Sequence, residues 1–255
     1  MFGRPLKLLQ RAFTRVTGEI SYVATREPVV ALTFDDGPNP DATPQLLEIL
    51  ARHGAKATFF MTGENAAACP ELVGNVLDAG HAIGNHTWDH PSLPLVTGRE
   101  RRRQIRECAK VLPDGGDRLF RAPYGNLSPA ALWDVWRCGH RLIGWSSIIT
   151  DWEPLDAATL ARQALDAIRP GAIMVMHDGL VDFISADALD RQPTLDAVAI
   201  LLAEMADRYR FVTVPELLRT GRPIHNQECM APDPAMLNQL QRRRGTPYRY
   251  PMAVA

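Results

Sequence analysis

From Pro28 onward the chain alternates short apolar runs with longer stretches whose apolar residues recur every three or four positions. A short continuous apolar run suits a strand covered on both faces, and the longer spacing suits one face of a helix. Seven runs read as strands: 29–34, 57–61, 82–85, 119–122, 142–145, 172–176 and 211–214. The helices between them have legible starts at Thr43 before Pro44, Pro70, Ser128 before Pro129, Asp156 before Ala157, and Thr97 with Glu100 three residues on. Past Pro193, Leu195, Val198, Leu202 and Met205 share one face. This alternation predicts βα units around a parallel sheet, an α/β fold. Seven units in about 190 residues suit a slightly short barrel or an open doubly wound sheet, and no GxGxxG follows the first strand to favour a dinucleotide fold.

Both ends depart from the pattern. Leu6, Leu9, Phe13 and Val16 recur at helical spacing with Arg4, Lys7, Arg11 and Arg15 between them, which predicts a helix docked on its own domain, with a membrane-surface anchor as the alternative. After Arg219 the periodicity stops, and 221–255, with Pro232, Pro234 and the run Arg242, Arg243, Arg244, reads as an irregular tail. The expected organisation is an amphipathic segment over 1–27, one domain over 28–220 and the tail over 221–255. The basic run in the tail reads as a solvated face, as does the cluster Arg99, Arg101, Arg102, Arg103 and Arg106 beside Glu100 and Glu107.

Composition narrows the field. At 255 residues, 46% hydrophobic and 22% charged, the chain can bury a full core without disulfide or metal staples, so a metal would serve chemistry. Lys and Arg number 28 against 29 Asp and Glu, and a net charge of −1 gives no field that would recruit nucleic acid. The four cysteines, Cys69, Cys108, Cys138 and Cys229, form no CxxC pair and read as reduced thiols. No apolar run approaches the ~18 residues of a membrane span, and no signal-peptide core stands near the start. The expectation is a cytoplasmic protein, with peripheral membrane contact through residues 1–16 as the variant reading.

In a parallel sheet, chemistry belongs at the C-terminal ends of strands. The first strand ends in Thr33-Phe34-Asp35-Asp36-Gly37-Pro38. Two adjacent carboxylates after a buried run raise one another's pKa unless a cation compensates them. The segment is either a turn or a metal site in which one Asp is ligand and the other base. The third strand ends in Asn85-His86-Thr87-Trp88-Asp89-His90, where two histidines at i and i+4 face one way on a helical turn and could bind one ion. Joined to an Asp they make a two-histidine, one-carboxylate set without thiolate, which suits Zn²⁺ first and Co²⁺, Mn²⁺ or Ni²⁺ next. Arg121-Ala122-Pro123-Tyr124-Gly125 follows the fourth strand. Its Arg is either a surface ion pair or a permanent cation beside a base, and its turn could aim backbone N–H groups at an oxyanion. Asp151-Trp152 follows the fifth strand, and the sixth ends on His177, a core histidine or a positioned acid.

Together these segments resemble the polysaccharide deacetylase family, the NodB homology domain of carbohydrate esterase family four, over roughly 29–218. The family's TFDD is Thr33-Phe34-Asp35-Asp36, its H[ST]xxH is His86-Thr87-Trp88-Asp89-His90, and its RxPY is Arg121-Ala122-Pro123-Tyr124. The resemblance implies a single-domain, distorted (β/α) barrel of seven or eight units. It implies Asp36, His86 and His90 as metal ligands, Asp35 as general base oriented by Arg121, and the Tyr124 N–H at the oxyanion. In DxxDW, Asp151 and Trp152 match while Ile148 replaces the first Asp, and in LxH the Leu is Val175 and the acid His177. By resemblance Asp151 tunes His177, while Trp152, with Pro123 and Val175, lines the substrate pocket.

Amide hydrolysis needs an activated water, a stabilised oxyanion and a protonated leaving amine, and each has a matching residue. The expected function is metal-dependent removal of acetyl from N-acetylated sugars, an acetylated sugar or oligosaccharide being the partner. An O-acetyl esterase or small-molecule amidase on the same site is the nearest alternative, and an inactive carbohydrate-binding protein is a more distant one. His53, His81, His140 and His225 retain a structural reading, and the segment 180–192 is expected at the rim of the cleft.

Overall fold

The computed structural model describes residues 18–113, 118–181 and 186–226. The N-terminal pattern 1–16, Cys229 and the Arg242–Arg244 run lie outside the described residues.

In chain order the elements are β1 (Glu19–Ala24), β2 (Val29–Asp35), α1 (Ala42–Arg52), β3 (Ala57–Met61), α2 (Gly63–Ala68), α3 (Pro70–Asp78) and β4 (Ala82–Asn85). There follow α4 (Gly98–Val111), β5 (Leu119–Phe120), α5 (Pro129–Arg137), β6 (Arg141–Leu142), β7 (Ser147–Ile148) and α6 (Ala157–Ala167). The last are β8 (Ile173–His177), α7 (Gln192–Met205), β9 (Arg210–Phe211), α8 (Val214–Leu217) and β10 (Arg222–Asn226). β2 and β3 are buried at every position, as continuous apolar runs demand, and stand at the centre of the sheet. The parallel strands run in the order β6-β5-β4-β3-β2-β8-β7, with β9 beside the start of β2, and the sheet curls into a half-barrel. Helices cover its outer face: Leu46 and Leu50 of α1, Leu160 of α6 and Val198, Leu201 and Leu202 of α7 pack on Leu32, Phe34 and Met174.

The edges β6 and β7 do not pair with one another. β1 spans the gap, bridging Ile20 to Ile143 and Tyr22 to Ala172 and accepting the Gly144 N–H at Ile20 O (2.9 Å). β1 also pairs antiparallel with β10, so a strand stands inside each segment that the periodicity sets apart, 1–27 and 221–255. Only Ile20 and Val23 of β1 are buried, too broken a pattern to read as a strand.

Other elements differ locally from the sequence reading. The expected strand 142–145 is split: Ile143 N bonds Phe120 O, Gly144 N turns to Ile20, and the chain then re-enters the sheet on the far edge as β7. A Cβ at Gly144 would lie 2.3 Å from the Glu19 Cδ, so this crossing needs glycine. The expected strand 211–214 stops at Phe211, because Thr213 and Glu216 form a capping box that starts α8. α1 starts at Ala42, where Asn39 Oδ1 accepts from Asp41 N (2.9 Å) and Ala42 N (3.1 Å), while Thr43 turns inward. Thr97, Ser128 and Asp156 cap their helices as read. The basic face of α4 is not wholly solvated: Arg101 is buried, bonded to Asp134 Oδ2 (2.7 Å) and to the carbonyls of Leu93 and Val96.

Candidate active site

The chemistry-bearing residues gather at the C-terminal strand ends. Asp35 closes β2 and His177 closes β8, and the two are register partners in adjacent strands. His86 follows the last residue of β4, with its N–H on Met61 O (2.9 Å). Arg121 follows β5 and is held by its N–H on Asn85 O (3.0 Å). Four of the five non-glycine residues at positive φ among those described lie here: Asp36 (73°), Thr87 (69°), His90 (58°) and Tyr124 (58°). Such backbone is tolerated where the surroundings over-determine it, and functional sites are where it collects.

His86 and His90 do not sit on a helical turn. The segment between them is a loop bent at Thr87 and His90, with His90 N on Thr87 Oγ1 (3.1 Å) and Thr87 N on Asn85 Oδ1 (2.9 Å). Gln104 of α4 anchors its tip, accepting from Trp88 N (2.9 Å) and Asp89 N (3.0 Å). The loop brings the two rings to 4.9 Å. His86 Nδ1 must donate to the Arg121 carbonyl (2.9 Å), which turns Nε2 toward Asp36. Asp36 Oδ1 lies 3.4 Å from His86 Nε2 and 3.2 Å from His90 Nε2.

These three residues fit a metal. Among the described residues they form the one group of three whose ligand atoms lie within 4.8 Å of one another, all buried. Asp36 Oδ1 is buried with no hydrogen-bond donor, while Oδ2 accepts from Val181 N (3.0 Å). Burial alone would raise the Asp36 carboxyl, but the imidazoles of His90 and His86 outweigh it and hold it well below the usual carboxylate range.

Arg121 is fully buried and serves both Asp35 and His86. Its Nη1 donates to Asp35 Oδ1 (2.7 Å) and Thr33 Oγ1 (2.7 Å), its Nη2 to Gly144 O (2.9 Å) and its Nε to Ile143 O (3.3 Å). The guanidinium also lies 4.1 Å from the centre of the Phe60 ring. Asp35 Oδ1 is thereby fixed, and Oδ2, 3.9 Å from His86 Nε2, faces the cluster of Asp36, His86 and His90. Tyr124 packs its ring on His90 at 4.4 Å, in a turn that also holds the buried Pro123.

On the other flank His177 Nδ1 meets Asp151 Oδ1 at 2.7 Å, and Asp151 Oδ2 accepts from His177 N (2.8 Å). Burial lowers the His177 pKa, but Asp151 overrides it, followed by Asp36 and Asp35, and the result is raised to about 9. Trp152 stands edge-on to the His177 ring at 5.7 Å. Val175 lies two residues before His177 on the same face of β8 and is buried beside Thr33. Ile148, where the family pattern has an Asp, is exposed, and the loop after it is held instead by Gln163 Oε1 on Thr150 N (2.9 Å).

Three residues escaped the sequence reading. Arg191 is buried and donates from Nη2 to Asp151 Oδ2 (2.6 Å) and from Nη1 to Asp151 O (2.8 Å); nothing local in the sequence marks it. Asp178 is buried against Gly37, where a Cβ would lie 2.3 Å from its Oδ2, and it accepts from Thr43 Oγ1. Burial, with repulsion from Asp36 and Asp35, raises its carboxyl to about 7 against the pull of the Thr43 hydroxyl. Its position beside His177 was a signal. Glu19, packed on Gly144, is likewise raised by burial to about 7, with Arg121 opposing. His81 retains its structural role: Nδ1 accepts from Ala57 N (3.1 Å), and burial pushes it down to about 4. Cys69, Cys108 and Cys138 are free thiols.

Comparison with known proteins finds relatives in both sequence and fold. A family model described as polysaccharide deacetylase matches residues 22–143. The chain is 41% identical over 168 residues to a chitooligosaccharide deacetylase of Azorhizobium caulinodans, covering 64% of this chain and 80% of that protein. It is 34% identical over 197 residues to a peptidoglycan-N-acetylglucosamine deacetylase of Bacillus cereus, covering 76% and 69%. Its fold is similar to the crystal structure of the Bc1960 peptidoglycan N-acetylglucosamine deacetylase in complex with a hydroxamate-type benzamide, with a TM-score of 0.70 and 32% identity over 80% of this chain and 94% of that one.

Proposed function

Since the chain belongs to the polysaccharide deacetylase family, we propose that it hydrolyses the N-acetyl group of acetylated amino sugars, releasing acetate and a free amine. Asp36, His86 and His90 would hold the divalent metal; a carboxylate with two imidazoles and no thiolate favours Zn²⁺, then Co²⁺, Mn²⁺ or Ni²⁺. When bound there, the cation polarises the acetyl carbonyl and acidifies a water.

Asp35 takes that water's proton at Oδ2, since Oδ1 is committed to Arg121. Arg121 holds the base in place through a buried, charge-assisted hydrogen bond. The hydroxide oxygen bonds to the acetyl carbon, and the Tyr124 N–H supports the oxyanion that forms. His177 then gives a proton to the sugar nitrogen, the C–N bond breaks, and acetate and the neutral amine leave. Trp152 and Pro123 bound the acetyl group.

The observation that carries this reading is the pairing of His177 with the buried Asp151, one strand from Asp35. An alkoxide can leave an ester with little help, whereas an amide nitrogen must be protonated to leave, so a built acid favours N-acetyl substrates. The test is acetate release by the Zn²⁺-loaded chain from N-acetylated chitooligosaccharides, peptidoglycan fragments and O-acetylated sugars. Faster release from the N-acetylated members is expected. Preference for the O-acetyl esters would establish the esterase alternative, and no release from any would favour a binding protein.

A further inference from the structure

We propose that Arg191 is a positioning residue for the leaving-group acid, acting on His177 through Asp151; the inference rests on the deacetylase reading above. Arg191 immediately precedes the 14-residue helix α7, where the helix N-terminus carries partial positive charge and a cation is disfavoured. It is nonetheless buried, 4% exposed, with a defined set of acceptors. Nη2 donates to Asp151 Oδ2 (2.6 Å), to His177 O (3.2 Å) and to Thr194 Oγ1. Nη1 donates to Asp151 O (2.8 Å) and Ala188 O (2.9 Å). One guanidinium thus joins the loop after β7, the end of β8 and the first turn of α7. Two of its acceptors belong to Asp151 and one to His177.

The chemistry gives this arrangement a purpose. The groups facing His177 are Asp151 from the loop after β7, Asp35 and Asp36 from the end of β2, and the Trp152 ring edge, all anionic or neutral. Without a nearby permanent cation, loss of the proton from His177 would leave Asp151 as an uncompensated buried anion. Arg191 turns that change from neutral-to-negative into positive-to-neutral, so the proton leaves more readily. The planar fork also fixes Asp151 Oδ2, which leaves Oδ1 aimed at His177 Nδ1.

The test compares Arg191→Met and Arg191→Lys with the parent, all as full chains loaded with Zn²⁺, on an N-acetylated chitooligosaccharide and on 4-nitrophenyl acetate. The phenolate of the second substrate leaves without a proton, so it reports the rest of the site. Arg191→Met should lose on the order of 10- to 100-fold in kcat on the amide with KM little changed, and keep most of its turnover of the ester. Arg191→Lys, which keeps the charge and loses the fork, should fall between, and it serves if the Met variant fails to fold. Proton NMR of the metal-free chains supplies a readout independent of turnover: the downfield Nδ1–H line of His177 should shift or broaden in Arg191→Met and persist in Arg191→Lys. Equal losses on both substrates with an unmoved line would overturn the proposal. A parent chain that turns over the ester but not the amide would instead overturn the deacetylase reading.

Discussion

Replacing Asp151 by Asn takes away the carboxylate that overrides burial at His177. In the parent chain His177, with 16% of its side chain exposed, is raised from 6.5 to about 9. At ~1.4 kcal/mol per pH unit this corresponds to about 3 kcal/mol favouring the folded imidazolium. Because the folded pKa lies above the unfolded one, that stabilisation is complete below pH 6.5 and is lost as pH rises through 9. In Asp151→Asn, burial acts on His177 against Asp35 and Asp36 alone, while Arg191 keeps its charge and loses its anion. The variant should therefore be less stable than the parent, and the gap should be wider at pH 6 than at pH 9.5 by up to about 3 kcal/mol. The assay is urea unfolding of the chelator-treated chains at the two pH values, so that no cation charge enters, with an NMR titration of the His177 ring alongside. A gap that is the same at both pH values, with His177 of the variant still titrating near 9, would refute the assignment of the raised pKa to Asp151.

Asp35→Asn should retain Zn²⁺ binding by calorimetry and lose on the order of 10²- to 10⁴-fold in kcat; turnover near that of the parent would remove Asp35 as the base. Chelation should abolish acetate release and Zn²⁺ should restore it, and His90→Gln should weaken Zn²⁺ binding by at least 10-fold without unfolding the chain. Gly84→Ala places a Cβ 2.5 Å from the Phe60 ring that supports Arg121, so it should cost about 1–3 kcal/mol in urea unfolding and lower kcat more than it raises KM. Arg101→Ala breaks a buried pair with Asp134 and should cost about 3 kcal/mol of stability, with turnover per folded molecule unchanged.

The central sheet was legible because its strands are continuous buried runs, such as Val29–Asp35 and Ala57–Met61, which carry their own signal. The edges were not. β6 and β7 are two residues each, and their placement depends on Gly144 crossing to Ile20, a contact more than a hundred residues away in sequence. The site was legible for the same reason as the sheet: Asp35, His86, Arg121 and His177 stand directly at or after strand ends, where polar groups after a buried run are conspicuous. Geometry within the site was less so. A spacing of four between His86 and His90 suits a helix, but positive φ at Thr87 and His90 makes it a loop, and periodicity carries no trace of left-handed backbone. Arg191 and the burial of Arg101 were invisible because each is defined by a partner on another element, Asp151 and Asp134.

Four carboxylates are buried where β2 and β8 end, and each meets a different solution to its charge. Asp35 has Arg121, and Asp151 has Arg191 with His177. Asp178 has a hydroxyl donor from Thr43 and, among the described residues, no cationic partner, and burial lifts its pKa to about 7. Asp36 differs from all three, because among the described residues its ion-pair partners are two imidazoles. The two imidazole nitrogens and Asp36 Oδ1 converge closely enough to share one cation. A cation held there as proposed would supply the partner that Asp36 Oδ1 otherwise lacks. Under the proposed mechanism, two adjacent residues of identical chemistry divide the work. The β2 backbone delivers Asp35 to a permanent cation, which suits a base, and the left-handed turn at Asp36 delivers it to two imidazoles, which suits a ligand.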